Sequence, residues 1–85
     1  MSAQAFHLHI QRVDPSRNMA RYYELSLEPT LFGEMSLVRT WGRIGRRGQQ
    51  RVDLYPTEQQ ALETFLELLR KKRAKGYSPR RTLAS

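Results

Sequence analysis

Only one stretch of the chain repeats its apolar residues at helical spacing, and it comes late. Ala61, Leu62, Phe65, Leu68 and Leu69 recur at intervals of three and four, with Glu63, Glu67 and Arg70 on the opposite side. A lone amphipathic helix cannot bury its stripe on itself, so the preceding residues must supply an apolar surface to receive it. They alternate at the strand period instead. Phe6, Leu8 and Ile10 oppose His7, His9 and Gln11, while Tyr23, Leu25 and Leu27 oppose Tyr22, Glu24 and Ser26. Further on, Val38, Thr40 and Ile44 oppose Arg39, Trp41 and Arg43, and Val52 and Leu54 are read as inward against Arg51, Asp53 and Tyr55. The predicted fold is therefore α+β: a twisted antiparallel meander of four strands, or five if the loop near Phe32 contributes, with one long helix packed on one face.

The connections carry their own signals. Asp14-Pro15-Ser16-Arg17-Asn18 is dense in turn formers and closes the first hairpin. Glu28 to Glu34 contains Pro29 and Gly33 and breaks the alternation, with Leu31 and Phe32 expected to tuck under the sheet. Gly45 and Gly48 bracket Arg46-Arg47 as a tight turn, because glycine tolerates positive φ. Pro56 ends the sheet, and Thr57 with Gln60 fits a capping box that starts the helix at Glu58. At its far end Arg70-Lys71-Lys72-Arg73-Ala74-Lys75 places five bases in six residues, more than the helix dipole requires. Lys72 falls on the apolar stripe, so the helix is expected to project past the sheet there. Gly76 reads as the C′ residue with Tyr77 packing back on the last turn. The domain is expected to span residues 1–77, and residues 78–85, with Arg80 and Arg81, read as a mobile basic tail.

Eighty-five residues suffice for one module with a modest core. Cysteine is absent, which excludes disulfides, thiolate catalysis and cysteine-ligated zinc. The start, Met1 to Phe6, lacks the features of a signal peptide, and no segment approaches the roughly 18 apolar residues of a membrane span. A cytoplasmic protein without membrane contact is expected. A net charge of +7 points to an anionic partner, with nucleic acid the foremost class.

The run Arg39-Thr40-Trp41-Gly42-Arg43-Ile44-Gly45-Arg46-Arg47-Gly48 holds the only tryptophan, four of the fifteen basic residues and three of the five glycines. Val38 and Ile44 match the inward set of the other strands, which leaves Trp41 on the outer face between Arg39 and Arg43. A ring flanked by guanidinium groups suits stacking on a base or sugar while the arginines pair with phosphates. Arg46, Arg47 and Arg51 would extend the patch, and the basic helix end, with Lys72 and Lys75, would add a second contact. Such contacts read shape and charge rather than base sequence.

Trp41-Gly42-Arg43-Ile44-Gly45 followed by Gly48-Gln49 resembles the signature of the WGR domain, found in poly(ADP-ribose) polymerases and in small bacterial proteins. Tyr23 to Leu27, Leu37-Val38-Arg39, Ala61, Phe65, Lys72 and Lys75-Gly76-Tyr77 also fall where that pattern expects them, so the resemblance covers roughly residues 6–77. It implies an α+β module in which Trp41 and Arg43 contact DNA near a strand end, the ring against a sugar and the guanidinium against phosphate. DNA is favoured over RNA, with Gly42 as part of the motif. The rival expectation is a regulatory module docking on a separately encoded acidic protein. His7 and His9 read as a surface pair rather than a metal site, for want of an evident third ligand. No catalytic constellation, nucleotide-binding loop or cofactor site is evident, so a non-enzymatic role is expected.

Overall fold

The computed structural model describes residues 6–79. Strands β1 (Phe6–Asp14), β2 (Met19–Pro29), β3 (Met35–Arg43) and β4 (Gln49–Tyr55) precede helix α1 (Glu58–Ala74), and a short β5 (Ser78–Pro79) follows it. They form one antiparallel sheet in the order β4-β3-β2-β1-β5. The fifth strand is thus not the loop near Phe32. It is Ser78–Pro79, the start of the expected tail, which pairs with Gln11 and Ile10 on β1. Arg80, Arg81 and the remaining tail residues lie outside the described residues.

The helix ends obey their local chemistry. Thr57 Oγ1 accepts from the backbone N–H of Gln60 at 3.2 Å, satisfying one otherwise unpaired donor of the first turn. At the C-terminus Gly76 has φ 98°, its N–H donates to Arg73 O at 3.0 Å, and the N–H of Tyr77 donates to Lys72 O at 3.1 Å. This pair of bonds is a Schellman motif, which needs a left-handed residue and turns the chain sharply back. The reversal buries Tyr77 in the core and delivers β5 to the edge of β1.

α1 lies on one face only. Ala61 and Phe65 are buried there, with Leu62, Leu68 and Leu69 packed around them, against Ile10, Tyr23, Leu25, Leu27, Met35 and Leu37. The faces of β1 and β2 are as the alternation predicts, but those of β3 and β4 are reversed. Leu27 pairs with Leu37 and Leu37 with Asp53, so Met35, Leu37, Arg39, Trp41 and Arg43 face the helix, as do Arg51, Asp53 and Tyr55. Val38 lies on the open face, where Val52 and Leu54 remain 53% and 57% exposed. β3 carries apolar residues at both parities, so alternation cannot choose its face. Pairing with β2 does, since a one-residue slip would expel Leu37 from the core.

Two further expectations are corrected. Leu31 and Phe32 do not tuck under the sheet; they are 97% and 88% exposed. Their turn is closed by its own bonds, Thr30 N–H to Glu34 O at 2.8 Å and Phe32 N–H to Thr30 Oγ1 at 3.1 Å, which hold both side chains outward. Nor does the helix project past the sheet at Lys72. Its Nζ lies 4.6 Å from the Tyr23 ring centre and 5.2 Å from that of Tyr77.

Candidate nucleic-acid interface

Where β1, β2 and β3 run beyond the core, the register sets three arginines in one row. Arg12 pairs with Arg21 across β1 and β2, and Arg21 with Arg43 across β2 and β3, all on the helix face. Like charges directly opposite one another in a sheet repel. None of the three has a carboxylate partner among the described residues. The next row inward holds Ile10, Tyr23 and Trp41. Trp41 is half-buried and packs against the core cluster, which corrects its placement on the outer face.

Beside this row opens a cleft of about 340 Å³, lined by Arg21, Tyr22, Trp41, Gly42, Arg43, Lys72 and Tyr77. Lys72 enters from α1 over the two tyrosine rings, a cation–π arrangement that holds its ammonium at the cleft wall. Burial pulls its pKa below the usual lysine value, and the nearby charges of Lys75 and Arg21 push in the same direction. The cleft therefore combines the partly buried, repelled ammonium of Lys72 and the exposed guanidinium groups of Arg21 and Arg43 with aromatic walls. An anion bound there relieves the repulsion and restores the solvation that burial removes.

Arg43 is aimed by the first hairpin turn. Pro15–Arg17 forms a single 3₁₀ turn capped by Asp14, whose Oδ1 accepts from Ser16 N–H at 3.2 Å, and Asn18 follows with φ 52°. In that left-handed conformation both its carbonyl and its Oδ1 accept from the Arg43 guanidinium, at 3.2 and 3.3 Å. Neutral acceptors fix the group while its charge stays available.

The glycines of the motif work by close approach. A Cβ on Gly42 would lie 2.9 Å from Gly48 Cα, and one on Gly48 would lie 2.1 Å from the Trp41 carbonyl oxygen and 2.3 Å from Tyr22 Oη. The β3–β4 turn thus folds down onto the strand, pinned by the Ile44 N–H to Ala20 O bond at 2.8 Å. Gly45, with φ 88°, supplies the positive φ expected of the turn, whereas Gly48 supplies only the missing side chain.

Of the sequence-predicted residues, the structure brings Trp41, Gly42, Arg43 and Lys72 together. Arg39 lines the groove on the other side of Trp41, but its Nη2 donates to Asp53 Oδ2 at 2.8 Å, and Arg51 Nε reaches the same oxygen at 3.2 Å. Arg39 holds the Asp53 carboxyl below its usual pKa, chiefly through that hydrogen bond, with burial opposing and Arg51 adding to the effect. Arg46 and Arg47 are exposed in the turn, and Lys75 is exposed at the helix end; none of the three lines the cleft. Arg12, Arg21, Tyr22 and Tyr77 are not among the residues that the sequence singles out for binding. Arg12 and Arg21 follow only from strand register, whereas the helix-stop glycine signals that Tyr77 turns back.

On the opposite face His7 Nε2 donates to Glu24 Oε2 at 3.0 Å, and His9 stacks on Tyr22 with ring centres 5.7 Å apart. Among the described residues no group of three His, Cys, Asp or Glu side chains is placed to hold a metal ion. No described helix is long and apolar enough to cross a membrane.

One sheet, one helix and a cleft of cations and aromatic rings at the end of the sheet define a small α+β module of the Trp-Gly-Arg type. The profile of the WGR domain matches residues 6–83, and the chain belongs to that family. It is 53% identical over 83 residues to the uncharacterised protein y4dW of Sinorhizobium fredii, covering 98% of this chain and 41% of that relative. The chain thus spans less than half the length of this curated relative. No solved structure matches it.

Proposed function

We propose that the chain is a non-enzymatic nucleic-acid-binding module that engages DNA ends, nicks or junctions through backbone and shape. The observation that carries this reading is the row Arg12, Arg21 and Arg43, without carboxylate partners among the described residues, beside Trp41 and Lys72. Cations packed side by side at a cleft store repulsion that a phosphate-bearing strand removes. The half-buried Trp41 ring offers a terminal sugar or base an apolar contact that a continuous stacked duplex has less need of. Membership of the WGR family supports the same roles for Trp41 and Arg43. Arg46, Arg47 and Lys75 add exposed charge around the site, while Arg39 and Arg51 act mainly by holding Asp53. A cytoplasmic location follows from this reading.

The test is a titration of blunt, nicked and 5′-phosphorylated hairpin DNAs at two salt concentrations, with Trp41→Ala, Arg43→Ala and Arg21→Ala variants of native circular dichroism. Binding should favour ends or nicks, weaken by a log-log slope of about −0.9 per phosphate neutralised, and collapse in the variants. Equal affinity for intact duplex with unaffected variants would sink the reading. A second reading, docking on an acidic protein, draws on the exposed Arg73 and Lys75 at the helix end, which have no ion-pair partner among the described residues. An RNA arm of the titration tests the preference for DNA.

A further inference from the structure

We infer that the free edge of β4 is a self-docking strand, on which a second copy of this chain adds antiparallel to form a two-fold dimer with one continuous sheet. Among the described residues β4 stands at the end of the strand order and pairs with β3 alone, while the opposite edge is the two-residue β5 with its proline. The seven residues Gln49–Tyr55 contain neither proline nor glycine. They present an unpaired row of backbone donors and acceptors among the described residues, the usual template for strand addition.

The side chains select the register. A two-fold axis perpendicular to the sheet pairs residues of the same face, so it must pass through a single residue of β4. On Arg51 it would set two arginines face to face, and on Asp53 two aspartates. On Val52 it overlaps the whole strand. Val52 then meets Val52 of the second copy on the open face, where Val38 lies beside it and Val52 is half exposed in the single chain. On the helix face each Arg51 meets Asp53 of the second copy, giving two symmetric ion pairs. Arg51 is well placed for this, since its side chain is 62% exposed and its sole ion-pair partner among the described residues is Asp53 of its own strand. The same residues that would blunt the edge if they shared a sign become self-complementary because they do not.

The arrangement leaves both clefts open. Trp41 lies one strand in from the axis, opposite Gln49. A six-residue offset at about 3.3 Å per residue, across three strand spacings of about 4.8 Å, separates the two Trp41 sites by about 25 Å. Such a dimer holds two strand ends on one sheet, a consequence that rests on the nucleic-acid reading; the dimer itself does not.

Sedimentation equilibrium from micromolar to millimolar protein tests the inference, reading association of the 10.0 kDa chain into a dimer of twice that mass. Val52→Lys places two ammonium groups on the axis, and Arg51→Asp sets aspartate against aspartate. Each should weaken dimerisation by about tenfold or more while leaving circular dichroism unchanged, whereas Arg51→Lys should retain it. Trp41→Ala should dimerise like the native protein, which separates this inference from the fate of the DNA reading. A native chain that stays monomeric throughout, or a dimer indifferent to both edge variants, overturns it.

Discussion

Replacing Gly48 by alanine probes the crossing that shapes the interface. The added Cβ would stand 2.1 Å from the Trp41 carbonyl oxygen and 2.3 Å from Tyr22 Oη, where ordinary contact needs about 3.5 Å. The hydroxyl can swing away with its ring, but the carbonyl belongs to β3 and cannot move without disturbing the ladder. Gly48 is not in the left-handed region, so alanine adds no φ strain and even gains a few tenths of a kcal/mol by stiffening the unfolded chain. Overpacking of this kind costs about 1–3 kcal/mol, and a backbone neighbour puts Gly48→Ala near 2 kcal/mol net. For a domain of this size that is a fall of about 8–16 °C in Tm, read by far-ultraviolet circular dichroism. Gly45→Ala meets nothing within 4 Å but must hold φ 88°, so it loses about 1–2 kcal/mol for a different reason. Asparagine should recover part of that loss at position 45 and deepen it at position 48. A Gly48→Ala protein within about 0.5 kcal/mol of native would show that the turn does not cross β3 in this way.

Lys72→Met keeps the packing length but removes the cleft's ammonium. The log-log salt slope for DNA should become shallower by about 0.9, with stability altered by less than about 1 kcal/mol because lost cation–π attraction and relieved burial oppose each other. An unchanged slope places Lys72 outside the contact. The Asp53 carboxyl has its folded pKa lowered, so its contribution is present above its unfolded value near 3.8 and is lost as pH falls through the folded one. Urea unfolding should therefore show stability declining below about pH 4, and Asp53→Asn should flatten that limb. Phe65→Ala should cost about 3–5 kcal/mol and leave the domain largely unfolded, whereas Phe32→Ala, at an exposed turn, should stay within about 0.5 kcal/mol. Comparable losses at the two positions would contradict the burial pattern.

Local interactions were readable from residue order. The helix stripe at Ala61, Phe65 and Leu68, the Thr57 cap, the Gly76 reversal and the first hairpin at Asp14 to Asn18 all depend on groups a few residues apart. So did the α+β class, because a single apolar stripe needs a sheet to cover. The Trp-Gly-Arg run also stood out by its composition, and its Trp41, Gly42 and Arg43 line the cleft.

What residue order could not decide was which side of β3 and β4 meets the helix. Val38, Ile44, Val52 and Leu54 look like core residues beside Arg39, Trp41, Arg43 and Asp53, so single-strand alternation favours the wrong set in β4 and leaves β3 undecided. Only pairing with β2 brings Leu37 against Leu27, and once that bond ladder forms, the period of two turns Trp41 and the arginines toward the helix. The same long-range register aligns Arg12, Arg21 and Arg43, and the path of α1 carries Lys72 over Tyr23 and Tyr77. The sequence by itself determined four strands, the helix and the helix ends, since those are set by neighbours along the chain, whereas β5 exists only through its pairing with β1. The tertiary structure decided the faces and the cleft, since those depend on which distant strands share hydrogen bonds.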